Sequence, residues 1–358
     1  MSKILCIDIG AGTMDILYYD TESAQHYKAV VKSPVASIAE TIDMIPGNVI
    51  VTGCEMGGGA VSKALKHKVR TAEVIMSESA AVTVHHNLER VRSSGITVVE
   101  DAAAHMKASD EHFTHIVFGD LEPARIEQIV YSFSVPFRFD IIAVCAQDHG
   151  RAPDGTSHLD YRHNLFKNLL DQNPYPHALL YSQDEVPVSL NRLGSIAQSA
   201  AQLPTEEVYV MDSGIAAILG AALDTRNRNA QKSLVMDVAT SHTVGAALCG
   251  DELCGFFEYH TCEITRGKIE NLLAALANGT IDHRKVLEEG GHGAYLRRSF
   301  GFENADILIS TGPKRRLLAG SALPIIAGSP LGDNMMTGCA GLLESVRRRN
   351  NIPALDYS

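Results

Sequence analysis

The stretch Ile4 to Asp20, ILCIDIGAGTMDILYYD, narrows the possible folds of this chain more than any other. Two apolar runs flank a small turn that carries Gly10 and Gly12, and that pattern predicts a β-hairpin. Glycine removes the Cβ, so backbone N–H groups at the turn can close on a bound group. Successive N–H groups of this kind form a concavity suited to phosphate oxygens. Thr13 adds a hydroxyl donor. Asp8 is a carboxylate inside an apolar run, an expensive placement unless it has a partner. Beside phosphates, that partner is a metal such as Mg²⁺, often held through water.

A chain of 358 residues exceeds the size at which one hydrophobic core stops growing, so two lobes are expected. The net charge of −11 argues against nucleic acid or an anionic membrane surface as the main partner. A phosphate site in so acidic a protein must rest on local N–H groups and a metal. The seven Cys form no CxxC pair, which fits reduced thiols in a cytoplasmic protein. No leader segment is expected, because Asp8 interrupts the N-terminal apolar run. The apolar stretch Ile215 to Leu223 is too short to span a bilayer.

Along the chain, strands are expected at 26–32, 48–52, 96–99, 115–120, 140–146, 178–182, 207–211, 233–236, 246–249 and 305–310. Helices are expected at 35–44, 60–67, 77–91, 102–107, 123–133, 188–203, 215–223 and 266–277, with another starting at Leu165. The strand at 48–52 runs into Gly57-Gly58-Gly59, which reads either as an anion site at a helix N-terminus or as a flexible connection. Asp148 and His149 follow the strand 140–146, where polar residues face the ligand crevice of an open α/β sheet. His149, His158 and His163 match no metal-ligand spacing, so they read as surface histidines in a polar loop. The cluster Gly290-Gly291-His292-Gly293 reads as a plain loop. Asp212 precedes a helix of small residues and suits a helix N-cap.

A second strand–Asp–turn–strand unit follows the polar linker 225–232. It consists of Asp237, a turn through Thr240, Ser241, His242 and Thr243, and the strand from Ala246. Together with the first hairpin it resembles the phosphate loops of the superfamily that unites actin, the Hsp70 chaperones and the sugar kinases. Three further motifs fall in that superfamily's order. The small-residue helix after Asp212 resembles the first connecting helix, and 334–343 resembles the second. The strand into Thr311-Gly312-Pro313-Lys314 resembles the adenosine motif. The second phosphate loop departs from the pattern, because Val, Ala, Thr and Ser stand where glycines are usual. Its bulk would hold a phosphate further out, unless the hydroxyls of Thr240, Ser241 and Thr243, or His242, act as donors. The motifs AQDHG and EYHT are also similar to a prokaryotic family labelled as pyruvate formate-lyase activating. Radical activation of that kind needs CxxxCxxC, which this chain lacks.

The resemblance implies an α/β, two-lobed actin-like ATPase (ribonuclease H-like) fold, each lobe a mixed sheet flanked by helices. It implies lobe boundaries at 1–228 and 229–358, with the last helix returning toward the first lobe. It implies ATP and Mg²⁺ as cofactors, with Asp8 and Asp237 at the metal. Asp212 would sit by the γ-phosphate, and Thr311, Gly312 and Lys314 by the adenosine. Asp148 or Asp212 is the expected general base of a kinase acting on a small molecule. An ATP-driven activator of a partner enzyme and a low-turnover nucleotide-binding regulator are the alternatives, and a homodimer is left open.

Overall fold

Strand β1 (Lys3–Ile9) sends Ile4 and Cys6 into one core and Leu5, Ile7 and Ile9 into another. Each large apolar side chain so buried contributes about 2 kcal/mol, which is why a run apolar on both faces becomes a central strand. The computed structural model describes residues 2–153 and 155–357. β1 pairs antiparallel with β2 (Thr13–Asp20), and β2 with β3 (Gln25–Lys32). The chain then leaves to build a separate parallel sheet. Its strands are β4 (Asn48–Gly53), β5 (Val74–Ser77), β6 (Thr97–Val99) and β7 (Phe113–Phe118), in the order β6-β5-β4-β7. It returns through β8 (Phe139–Ala146), β9 (Tyr181–Ser182) and β10 (Thr205–Asp212), which complete the sheet β3-β2-β1-β8-β10-β9. β8 runs parallel to β1, and β10 parallel to β8.

The same plan then repeats. β11 (Lys232–Val238), β12 (His242–Cys249) and β13 (Glu252–His260) are successive antiparallel neighbours, extended at the edge by β14 (Gly291–Leu296). On the other side β15 (Ile307–Thr311) and β16 (Ile325–Ala327) run parallel to β11. The five-strand orders β3-β2-β1-β8-β10 and β13-β12-β11-β15-β16 correspond, each sheet adding one edge strand of its own, and with flanking helices they form a duplicated ribonuclease H-like unit. The fold is therefore the two-lobed actin-like α/β architecture.

The helices Ser213–Ala222 and Thr337–Arg349 cross between the two sheets. The crossing is as close as backbones allow. A Cβ on Gly220 would overlap the Thr337 carbonyl, and one on Gly341 the Ala216 carbonyl. The second helix also returns to the first sheet, where Cys339 Sγ lies 3.2 Å from the Asp15 carbonyl oxygen. One core joins Ala143 of the first sheet, Ile215 and Cys339 of the helices, and Val235 of the second sheet. Behind this helix, buried Glu344 accepts hydrogen bonds from Arg347, Arg348 and Tyr357 at 2.6–2.9 Å. Burial alone would raise its pKa, but the two arginines hold it below the usual carboxylate value.

Four expectations fail locally. No helix spans 77–91. Ser77 caps a single turn at Glu78–Ala81, and Asn87 accepts from the N–H groups of Glu89 and Arg90 to start a new helix at Leu88. His158 and His163 are helical, because Ser157 caps a helix that starts at His158 rather than Leu165. The strand expected at 178–182 is reduced to Tyr181–Ser182 by a 3₁₀ turn from Pro176. The cluster expected as a loop is a turn only at Gly290, and Gly291, His292 and Gly293 open a strand. Gly291 lies against the Tyr259 ring and Gly293, at φ +116°, against His283, where side chains would not fit.

Gly341→Ala is expected to cost about 3 kcal/mol in urea unfolding through overpacking. Gly194→Ala lies in a helix with no described heavy atom within 4 Å of the added Cβ, and should stabilise by about 0.5–1 kcal/mol. Glu344→Gln should cost about 3 kcal/mol at pH 7. A depressed carboxylate pKa contributes stability above its unfolded value, so this deficit should shrink as the pH falls below about 4.

Candidate functional site

A cleft of about 590 Å³ opens where the β1–β2 and β11–β12 turns meet. A Cβ on Gly12 would lie 3.3 Å from Thr240 Cγ2, so the two tips face each other. The turns share one hydrogen-bond scheme. In the first, Gly10 N–H donates to Thr13 O at 2.9 Å, while Ser33 donates from Oγ to Gly10 O at 2.6 Å and from N–H to Gly12 O at 3.0 Å. In the second, Ala239 N–H donates to His242 O at 3.1 Å. Thr261 donates from Oγ1 to Ala239 O and from N–H to Ser241 O, both at 2.8 Å. Gly10 and Ala239, Gly12 and Ser241, and Ser33 and Thr261 are thus equivalent. The second loop keeps the geometry of the first without its glycines.

Carboxylates crowd beneath these turns. Asp8 faces Asp15 across the hairpin, and Asp237 holds the matching place in β11. Burial, with Asp212 adding, pushes Asp8 up to about 6. Burial, then Asp8, pushes Asp15 up to about 8. Burial, with Asp8 adding, pushes Asp237 up to about 7 against a hydrogen bond from Thr311. Asp15 Oδ1 is buried with no hydrogen-bond partner among the described residues. Hard oxygen donors, mutually repelling and partly unpaired, fit a divalent cation such as Mg²⁺.

The other sequence candidates divide. Thr13, Ser241 and His242 line the cleft. Thr243 is fully buried, its hydroxyl 3.0 Å from that of Thr261. Thr311 Oγ1 is engaged 3.0 Å from Asp237 Oδ1 and from Met236 O. Gly312, at φ +88°, passes over Val238 where a Cβ would crowd its carbonyl, and Lys314 is exposed. Asp148 reaches the cleft buried, its oxygens accepting from Gly150 N–H at 2.8 Å and Leu193 N–H at 3.0 Å. Asp212 caps its helix at Gly214 and Ile215. In the Gly57–Gly59 stretch the first two glycines are closely packed, and Gly59 begins a helix with open space at its Cβ position. A Cβ on Gly57 would crowd Val35 and Arg192, and Gly57 N–H already donates to Asp120.

The histidines fall apart as a set. His149 lies by His292, His158 by His85 and His86, and His163 stacks on His283 at 3.6 Å. Burial pushes His149 down to about 3 and His163 to about 4.

Several residues the sequence did not single out also belong here. On the small-sheet bank, His86 Nε2 lies 2.7 Å from Glu55 Oε1, and that bond raises the His86 pKa. Glu55 Oε2 is buried without a partner among the described residues. On the second-sheet bank, buried Arg162 donates to Glu258 Oε2 at 2.6 Å and to Asp212 Oδ2 at 2.9 Å. Glu258 also accepts from Gln147 and faces His292 Nδ1 at 3.4 Å. Burial would raise Glu258, but Arg162 holds it well below the usual range. The signal for Glu258 and His260 was there, since carboxylate and imidazole alternate in FFEYH on one strand face.

A sequence family described as "Putative pyruvate format-lyase activating enzyme (DUF1786)" matches residues 56–317, and the chain belongs to it. No curated protein matches the chain. Among solved structures it is similar to an inorganic polyphosphate/ATP-glucomannokinase from Arthrobacter sp. strain KM. That match has 12% identity and a TM-score of 0.36, covering 97% of this chain and 100% of that one. It is also similar to the ethanolamine utilization protein EutJ from Carboxydothermus hydrogenoformans, at 10% identity and a TM-score of 0.34, covering 96% and 89%. A ROK hexokinase from Thermus thermophilus matches at 13% identity and a TM-score of 0.23 over 70% of this chain; the chain spans about half the length of that kinase, 47%. The duplicated strand order, rather than these scores, defines the fold. No helix among the described residues is long and apolar enough to cross a membrane.

Arg162→Met should lower stability by about 3–5 kcal/mol in urea unfolding, because it strands two buried carboxylates. Adding Glu258→Gln to it should restore part of that loss.

Proposed function

We propose that the protein is a Mg²⁺-ATP-dependent phosphotransferase acting on a small molecule, with residues 1–228 and 229–358 closing around the nucleotide. The observation that carries this reading is the pair of equivalent turns facing each other over cation-deficient carboxylates. Gly10, Gly12 and Thr13 on one side, and Thr240 and Ser241 on the other, would hold the phosphates. Asp8 and Asp237 would hold the metal, often through water. Asp15 would add to the negative field. The adenosine would lie toward Gly312 and Lys314, where Pro313 lines the cleft. When bound, Mg²⁺ neutralises charge developing on the transferred phosphoryl group.

The acceptor pocket on this reading lies on the small-sheet bank. Asp148 has both oxygens on backbone N–H groups and Asp212 is shared with Arg162, so neither is well placed to take a proton. Glu55, with its unpartnered Oε2 and its bond to His86, suits the general base better. The family description names an activating enzyme; without CxxxCxxC, such a role would have to run on ATP.

Calorimetry should find Mg²⁺-dependent ATP binding that Asp8→Asn and Asp237→Asn each weaken. Glu55→Gln should leave that binding intact and lower metabolite-stimulated ADP release by about 10²-fold or more. Absence of ATP binding at millimolar nucleotide overturns the proposal. ADP release stimulated by a partner protein and by no hydroxylated metabolite would replace the phosphotransferase with an ATP-driven activator.

A further inference from the structure

Three adjacent strands bring three imidazoles to one end of the second sheet. His242 opens β12 and pairs in register with His260, the last residue of β13, while His292 comes from β14. One ring nitrogen from each lies within 4.8 Å of the other two. The ring centroids stand 4.6 Å apart for His242 and His260, 4.7 Å for His242 and His292, and 4.3 Å for His260 and His292. Among the described residues this is the one group of three His, Cys, Asp or Glu with that geometry.

Their hydrogen bonding is incomplete. Among the described residues His242 Nε2 is buried with no partner, and so is Nδ1 of the adjacent His149. His260 Nε2 and His292 Nε2 face each other at 3.1 Å. The bland account is one imidazole–imidazole hydrogen bond there, but it leaves the His242 nitrogen orphaned, at a cost of about 1–3 kcal/mol. A cation at the centre would satisfy all three rings.

The surroundings are those of a metal centre. Glu258 Oε1 faces His292 Nδ1 at 3.4 Å. A carboxylate on the far ring nitrogen fixes the tautomer and frees Nε2 for a metal. Glu258 is held in turn by Arg162, which is shared with Asp212. One guanidinium between two carboxylates leaves negative charge uncompensated beside the rings.

The distances also suit. Three donors on an edge of 4.8 Å or less have a centre no more than about 2.8 Å from each. Ring movements under about 1 Å would reach the zinc–imidazole bond of about 2.0–2.1 Å. We infer that β12, β13 and β14 carry a site for a divalent first-row transition ion, zinc the reference case. Its ligands are His242, His260 and His292, and its fourth position opens to the cleft that all three line. Imidazole donors without thiolate suit such ions better than Mg²⁺, and three protein ligands with one open position are the arrangement of catalytic rather than structural sites. Glu258 is a positioning residue. The inference is independent of the phosphotransfer reading, because it concerns metal binding without nucleotide.

The test is zinc binding by the full chain after chelator treatment, read by competition with a chromogenic chelator and by elemental analysis. One equivalent should bind. His260→Ala and His292→Ala should each weaken binding by about 100-fold or more, and Glu258→Gln by about 10–100-fold. His163→Ala should change nothing. Cobalt-loaded protein should show the visible absorption of a four-coordinate centre, and added inorganic phosphate should shift it through the open position. Failure of the native chain to bind zinc or cobalt stoichiometrically overturns the site, as does binding that both folded histidine variants retain. Should those variants fail to fold, the stoichiometry and cobalt spectrum of the native chain decide.

Discussion

Two helices meet where neither has room for a Cβ. At Gly220 against Thr337 and at Gly341 against Ala216, backbone touches backbone. That contact sets the spacing between the two large sheets, and the spacing sets whether Gly12 reaches Thr240. Gly338 continues the constraint, since a Cβ there would overlap the Asp8 carboxylate. The crossing therefore packs the core and fixes the position of the Asp8 carboxylate in the cleft at once. Closely packed interiors do not yield gradually, so the cleft inherits the precision of the joint beneath it.

Charge is distributed unevenly around the cleft. Under the turns, burial raises the pKa values of Asp8, Asp15 and Asp237, and the Asp8 charge adds to the rise at the other two. A few residues away, Arg162 sits between Asp212 and Glu258 and lowers the latter. Burial acts in the same direction on Asp8, Asp15, Asp237 and Glu258; what differs is the bonded guanidinium beside Glu258. The first set lacks one and suits a bound ion, whereas the second carries its own and holds the cleft wall in place. Opposed carboxylate environments within one cleft are a mark of functional sites.

Much of the fold was legible in the chain. Apolar runs ending in Asp8 and Asp237 identified the two hairpins, because central strands must be apolar on both faces. The small-residue helices were legible for the same kind of reason. Other features were hidden. The equivalence of Ser33 and Thr261 depends on where a third strand ends, and the lack of glycine in the second turn concealed it. The break in the expected helix at 77–91 came from the caps Ser77 and Asn87, which local hydrogen bonds favour over helical periodicity. His292 looked like part of a loop because its neighbours are glycines, although Gly291 and Gly293 serve close packing in β14.

By itself the sequence determined that the chain has two similar α/β halves, each presenting an acidic strand end and a tight turn. Periodicity and turn chemistry are local, and they survive in a string of letters. Only the tertiary structure decided which side chains share a space. Asp15 with Asp237, Glu55 with His86, and His242 with His260 and His292 come from segments far apart in the chain or on separate strands. Their meeting follows from strand register and a glycine-tight crossing, neither of which spacing along the chain encodes.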